Sequence, residues 1–67
     1  MNKREIFIKN LKNILKENNL TQKQLADMIG CSKTTISKWF LMQTQPTFDN
    51  IVKLIEVLNC SFEELIS

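Results

Sequence analysis

Sixty-seven residues with a net charge of +2 fit one domain, and an apolar fraction of 43% is enough for one compact core. One Gly and one Pro argue against a many-turned β fold, and no apolar run approaches the ~20 residues of a membrane span. With no His, a Cys–His nucleophile pair and a His-bearing zinc site are excluded, and Cys31 and Cys60 without a signal peptide point to a reducing cytoplasm.

The charge is unevenly spread. Residues 1–38 hold eight basic groups (Lys3, Arg4, Lys9, Lys12, Lys16, Lys23, Lys33, Lys38) against Glu5, Glu17 and Asp27. Residues 39–67 hold Lys53 against Asp49, Glu56, Glu63 and Glu64. A basic half and an acidic half suggest one face turned toward a polyanion, although a solvated helix surface would look the same.

In chain order, a first helix is predicted from Glu5 to about Asn18. Phe7, Leu11, Ile14 and Leu15 recur at helical spacing with Ile8 beside them, and Lys9, Lys12 and Lys16 face elsewhere. Asn18-Asn19 closes it, because Asn tolerates the left-handed conformation. Thr21 with Gln24 three residues on forms a capping box for a short second helix with the stripe Leu25, Ala26, Met28 and Ile29. Gly30 stops that helix, and Ser32 caps a third, which carries Ile36, Trp39 and Phe40. Gln43-Thr44-Gln45-Pro46 is a connector, and the residue before Pro46 is pushed away from helix. Thr47 caps a fourth helix with Phe48, Ile51, Leu54, Ile55 and Leu58, closed by Asn59-Cys60. Ser61, with Glu64 three residues on, caps a last short helix holding Phe62, Leu65 and Ile66. The expected fold is all-α, five helices in a single domain over residues 1–67.

The second and third helices form two short helices joined by a tight turn. Leu25 and Ile29 anchor the first of the pair, and Ala26 is small where the second crosses it. Gly30 makes the turn, Cys31 fills a tight spot within it, and Ile36 and Trp39 anchor the second helix. This is the pattern of a DNA-reading helix-turn-helix.

With these residues in view, the sequence resembles the family of the lambda and 434 phage repressors and Cro proteins, the XRE type. That family runs roughly Leu-Thr-Gln-x-x-Leu-Ala-x-x-x-Gly-x-Ser-x-x-Thr-Ile-Ser-x-Trp. Here stand Leu20-Thr21-Gln22, Leu25-Ala26, Gly30, Ser32 and Thr35-Ile36-Ser37-Lys38-Trp39. The flanks match as well, in Pro46-Thr47, Asn50-Ile51, Leu54, Leu58 and Phe62-Glu63-Glu64-Leu65, so the likeness covers about residues 5–66.

The resemblance implies a lambda-repressor-like domain that binds a double-stranded DNA operator as a transcriptional regulator, with repression the expected sense. It assigns phosphate contact and base support to Gln22, and base reading in the major groove to Lys33, Thr34 and Thr35, with Ser37 and Lys38 one turn later. Gln43 and Thr44 correspond to backbone-contacting loop positions. A homodimer is expected, at least on DNA. With Ser67 as the last residue, its surfaces are expected in the fifth helix and the loop around Gln43. No cofactor is implied.

Two positions depart from the pattern. The family commonly has Glu where Phe40 stands, paired in some members with an Arg at the position of Leu15. Replacing a whole buried ion pair by hydrocarbon is often neutral or stabilising, so Leu15 and Phe40 are expected to pack together. Met42 stands where the family usually has a Gly that closes the reading helix. Either the third helix runs longer or the loop takes another shape, because Met tolerates positive φ poorly.

Leu41 and Met42 are expected against the fourth helix. The competing reading exposes them as a contact for a protein partner, as in an antitoxin or a phage factor that binds another regulator. Cys31 and Cys60 read as small core fillers at helix junctions. An enzyme is rejected. Glu63 and Glu64 are adjacent and so point about 100° apart on a helix, and there is no nucleophile with a base and no phosphate-cradling glycine loop.

Overall fold

The computed structural model describes all 67 residues. Five helices follow one another: α1 (Lys3–Glu17), α2 (Gln22–Ile29), α3 (Lys33–Phe40), α4 (Phe48–Leu58) and α5 (Phe62–Ile66). No helix is long and apolar enough to cross a membrane.

Every helix starts on a side-chain cap. Thr21, Ser32, Thr47 and Ser61 each accept from the backbone N–H three residues on, and Thr21 and Gln24 complete the reciprocal box. The first helix begins two residues earlier than its apolar pattern suggests, because Asn2 caps it through Glu5 N–H.

The first four helices also end alike. The left-handed residues are Asn19 (φ 55°), Gly30 (78°), Met42 (61°) and Asn59 (52°). In each case the next N–H reaches back five residues: Leu20 to Leu15, Cys31 to Ala26, Gln43 to Lys38, and Cys60 to Ile55. That bond satisfies a carbonyl the helix end would otherwise leave free. α3 therefore does not run on past the position of the missing glycine. Met42 itself adopts the left-handed conformation.

The core is one cluster of eleven side chains to which every helix contributes: Phe7, Ile8, Leu11 and Leu15; Leu25, Ala26 and Ile29; Ile36 and Trp39; Leu54; and Leu65. α5 is held to α1 by more than Leu65. Asn10 Nδ2 donates to the carbonyls of Leu65 (2.9 Å) and Ser67 (3.1 Å), and Lys3 Nζ to that of Ile66 (3.1 Å).

Several apolar residues lie outside the core expected of them. Met28 is 43% exposed, Phe48 77% and Phe62 48%. Leu41, expected against α4, is 66% exposed. Met42 does pack on the core, but beside α1, where it borders a cleft with Ile8, Lys12 and Phe40. Cys31 and Cys60 are free, half-buried thiols against the core cluster. Burial raises both pKa values. Lys53 partly opposes the rise at Cys31, while Glu64 adds to it at Cys60.

Two stability measurements check this description. A Cβ added at Gly30 would meet nothing within 4 Å, so Gly30→Ala carries only the torsional strain of φ 78°. The expected loss is about 1 kcal/mol, seen as a Tm lower by roughly 4–8 °C. A loss several times larger would mean that the turn is crowded.

The thiols give the second test. Their folded pKa values lie above the unfolded ones, so the contribution to stability is full below the usual thiol pKa. It declines as pH rises through the folded values. The urea midpoint should fall more between about pH 8 and pH 10 for the wild type than for Cys31→Ala/Cys60→Ala. Parallel pH profiles would refute this.

Candidate nucleic-acid interface

α3 is an eight-residue helix with two jobs on opposite faces. Each residue advances the helix by about 100°. Ile36 and Trp39 therefore share the face turned into the core, where they are 0% and 2% exposed. Lys33, Thr34, Ser37 and Lys38 fall within an arc of about 140° on the other side. Lys33, Thr34 and Lys38 are exposed, and Ser37 is half-buried at the edge facing α2.

The hydroxyls of Ser37 on this arc and of Thr35, which is half-buried beyond its edge, already have partners. Ser37 Oγ donates to Gln22 Oε1 at 2.8 Å, which ties the middle of α3 to the first residue of α2. Thr35 Oγ1 lies 3.0 Å from Ser32 Oγ, the cap of its own helix. Gln22 is half-buried, and its amide nitrogen makes no hydrogen bond within the protein.

Gln43 and Thr44 follow α3 in an exposed loop. Their N–H groups both donate to the Lys38 carbonyl, at 2.9 and 3.4 Å. Lys38, Gln43 and Thr44 thus form one continuous edge. From the other side, Arg4 Nη2 donates to the carbonyls of Met42 (2.8 Å) and Thr44 (3.1 Å).

Leu15 and Phe40 border one shallow cleft together with Lys12, Lys16, Leu20 and Gln22. Phe40 packs against the core and is not left in solvent, in line with the expectation for this pair. The Lys12 ammonium lies 5.4 Å from the Phe40 ring centroid, so a cation rests on the ring near where the family's ion pair would be. Lys12 and Lys16 thereby join Gln22 at the same edge. Reading the sequence alone gave them no role. Their spacing marks only a solvated face of α1, and their closeness to Gln22 arises from how α1 packs on α2 and α3.

The electrostatics favour an anion. The single ion pair of the protein is Lys23–Asp27 at 3.4 Å, within α2 and exposed. No carboxylate neutralises Lys12, Lys16, Lys33 or Lys38. The acids Asp49, Glu56, Glu63 and Glu64 lie on α4 and α5. A surface that is basic, built on a helix with a buried opposite face, and free of internal pairing can dock against phosphates and present side chains between them.

Comparison with known proteins agrees with this geometry. The family described as helix-turn-helix matches residues 11–65. The chain is 42% identical over 55 residues to the cryptic phage CTXphi transcriptional repressor RstR of Vibrio cholerae serotype O1, an alignment covering 82% of this chain and 49% of that protein. The chain thus spans about half the length of this curated relative. No solved structure matches it. With the family pattern extending from α1 into α5, the chain belongs to the helix-turn-helix family of the phage-repressor, or XRE, type.

Proposed function

We propose that the protein binds double-stranded DNA sequence-specifically and regulates transcription as a repressor of phage, mobile-element or bacterial genes, with α3 reading the major groove. The observation that carries this reading is the exposed, unpaired Lys33–Lys38 arc of α3 opposite Ile36 and Trp39. The kinship with a phage transcriptional repressor supports it.

In this reading Lys33 and Lys38 donate to guanine O6 and N7, and Thr34 and Thr35 offer a methyl to thymine or a hydroxyl to phosphate. Gln22, at the positive end of α2, donates its free amide to a phosphate, and Gln43 and Thr44 touch the backbone further along.

A second copy is part of the proposal. The longest extent of the protein is 28 Å, whereas successive major grooves on one face of B-DNA are ~34 Å apart, so one copy reads one groove. Two copies on a near-palindrome would meet through apolar surface that the fold leaves uncovered, and Phe62 of α5 and Phe48 supply it. The exposure of Leu41 favours a second reading, in which the same fold serves as a module that binds a protein partner through Leu41, next to the half-buried Met42.

Selection from a randomised duplex pool at low and moderate salt separates the two. An operator binder enriches an inverted repeat with half-sites about one turn apart. Lys33→Ala and Lys38→Ala should then each weaken the selected site by about 1–3 kcal/mol and relax one base position. Equal weakening on all sequences would move those lysines to phosphate. Recovery of no sequence, with weak binding that vanishes as salt rises, would favour the partner-binding module.

Ser37→Ala tests the junction between the two helices. Losing the bond that orients Gln22 should cost about 1 kcal/mol of operator affinity, and Ser37→Ala should cost nothing further in a protein that already carries Gln22→Ala. Additive losses would give Ser37 a DNA contact of its own.

A further inference from the structure

Among the residues with left-handed backbone, Asn19, Gly30 and Asn59 are of types that enter that region readily, and Met42 is not. A strained backbone persists only where its surroundings over-determine it. At Met42 the surroundings include a side chain 38 residues away in sequence. Arg4, in the first turn of α1, places Nη2 2.8 Å from the Met42 carbonyl and 3.1 Å from the Thr44 carbonyl. No other side chain hydrogen-bonds to this loop. Arg4 has no carboxylate partner, so its charge is directed to two backbone carbonyls alone.

The two carbonyls flank Gln43. Together with the Gln43 and Thr44 N–H bonds to Lys38, they fix the loop backbone from both sides. The side chains of Gln43 and Thr44 stay exposed. Both donors come from one terminal nitrogen of a planar, half-buried guanidinium. A lysine ammonium could also donate twice from one nitrogen, but its side chain is one bond shorter and reaches the two carbonyls less well.

We propose that Arg4 is a positioning residue for DNA binding, clamping Met42–Thr44 in the conformation that presents Gln43 and Thr44 to the DNA backbone without touching DNA itself. This rests on the DNA-binding reading above.

The test compares wild type, Arg4→Gln, Arg4→Lys and the Gln43→Ala/Thr44→Val variant with and without Arg4→Gln. Affinity for the selected duplex is read by anisotropy across a salt series, below the melting range of every variant, alongside amide exchange. Arg4→Gln should weaken binding about tenfold. The slope of log affinity against log salt should stay the same, because no phosphate ion pair is lost. Arg4→Lys should fall between. The loop variant should lose nothing more when Arg4 is also changed, and the Gln43 and Thr44 amides should exchange faster in Arg4→Gln while those of α2 do not.

A slope shallower by about 0.9 would make Arg4 a direct phosphate contact and overturn the proposal. So would unchanged affinity in a folded Arg4→Gln. If Arg4→Gln fails to fold, Arg4→Lys decides on the same readouts. Absence of salt-sensitive DNA binding by the wild type overturns the DNA-binding reading itself, and that result is visible without any variant.

Discussion

A chain of this size encloses only eleven side chains, and each of five helices must deliver at least one of them to the same cluster. That requirement governs the rest of the structure. α5, with five residues, is far below the ~12–15 at which an isolated helix becomes even marginally stable in water. It exists because Leu65 reaches the cluster and because Asn10 and Lys3 of α1 take up its last carbonyls. The helices can converge only if the chain reverses sharply between them. Four left-handed residues supply those reversals, each with an N–H that closes the preceding helix. The caps at the other ends follow from the same geometry, since joints this short leave few other partners for the first N–H groups.

The requirement also sorts the surface. α3 spends Ile36 and Trp39 on the core, and what remains of a short helix is one solvent-facing arc. Residues on that arc can change without disturbing the cluster. The uneven charge gains a location in the same way. Lys12 and Lys16 of α1 and the lysines of α3 border one edge, while four of the seven acids sit on α4 and α5. A dipolar molecule of this kind approaches a polyanion in a preferred orientation before any specific contact is made.

Much of this was legible in the residues themselves. Thr21, Ser32, Thr47 and Ser61 announce helix starts because a short oxygen-bearing side chain is what an N-terminus requires. Asn19, Gly30 and Asn59 announce ends because they suit positive φ. Apolar spacing marked the core, but it overreached at Met28 and Phe48. Periodicity shows that a residue is apolar on a given face, not that another element lies there to cover it. Phe48 opens α4 beyond the reach of the cluster, and Leu41 stands past the end of α3. Arg4 and Asn10 left no signal, because their partners are carbonyls distant in sequence and every residue carries a carbonyl. Asn2 is itself a good cap residue with Glu5 three positions on, but the apolar spacing drew the helix start to Glu5 instead.

Met42 shows what the missing glycine changes. A glycine there would relieve about 1 kcal/mol of torsional strain but would place no side chain beside Ile8 and Phe40. Methionine accepts the strain and packs there, its flexible thioether suited to an irregular gap. The loop after α3 is therefore joined to α1 twice, by this packing and by Arg4. In a helix-turn-helix closed by glycine, the turn alone can define the loop. In this protein its conformation depends on α1 as well, so a displacement of the first helix would be transmitted to Gln43 and Thr44. On the DNA-binding reading, the backbone-contacting loop and the basic face of α1 then dock as one unit, and the order of the first turn of α1 bears directly on the affinity of a loop some forty residues away.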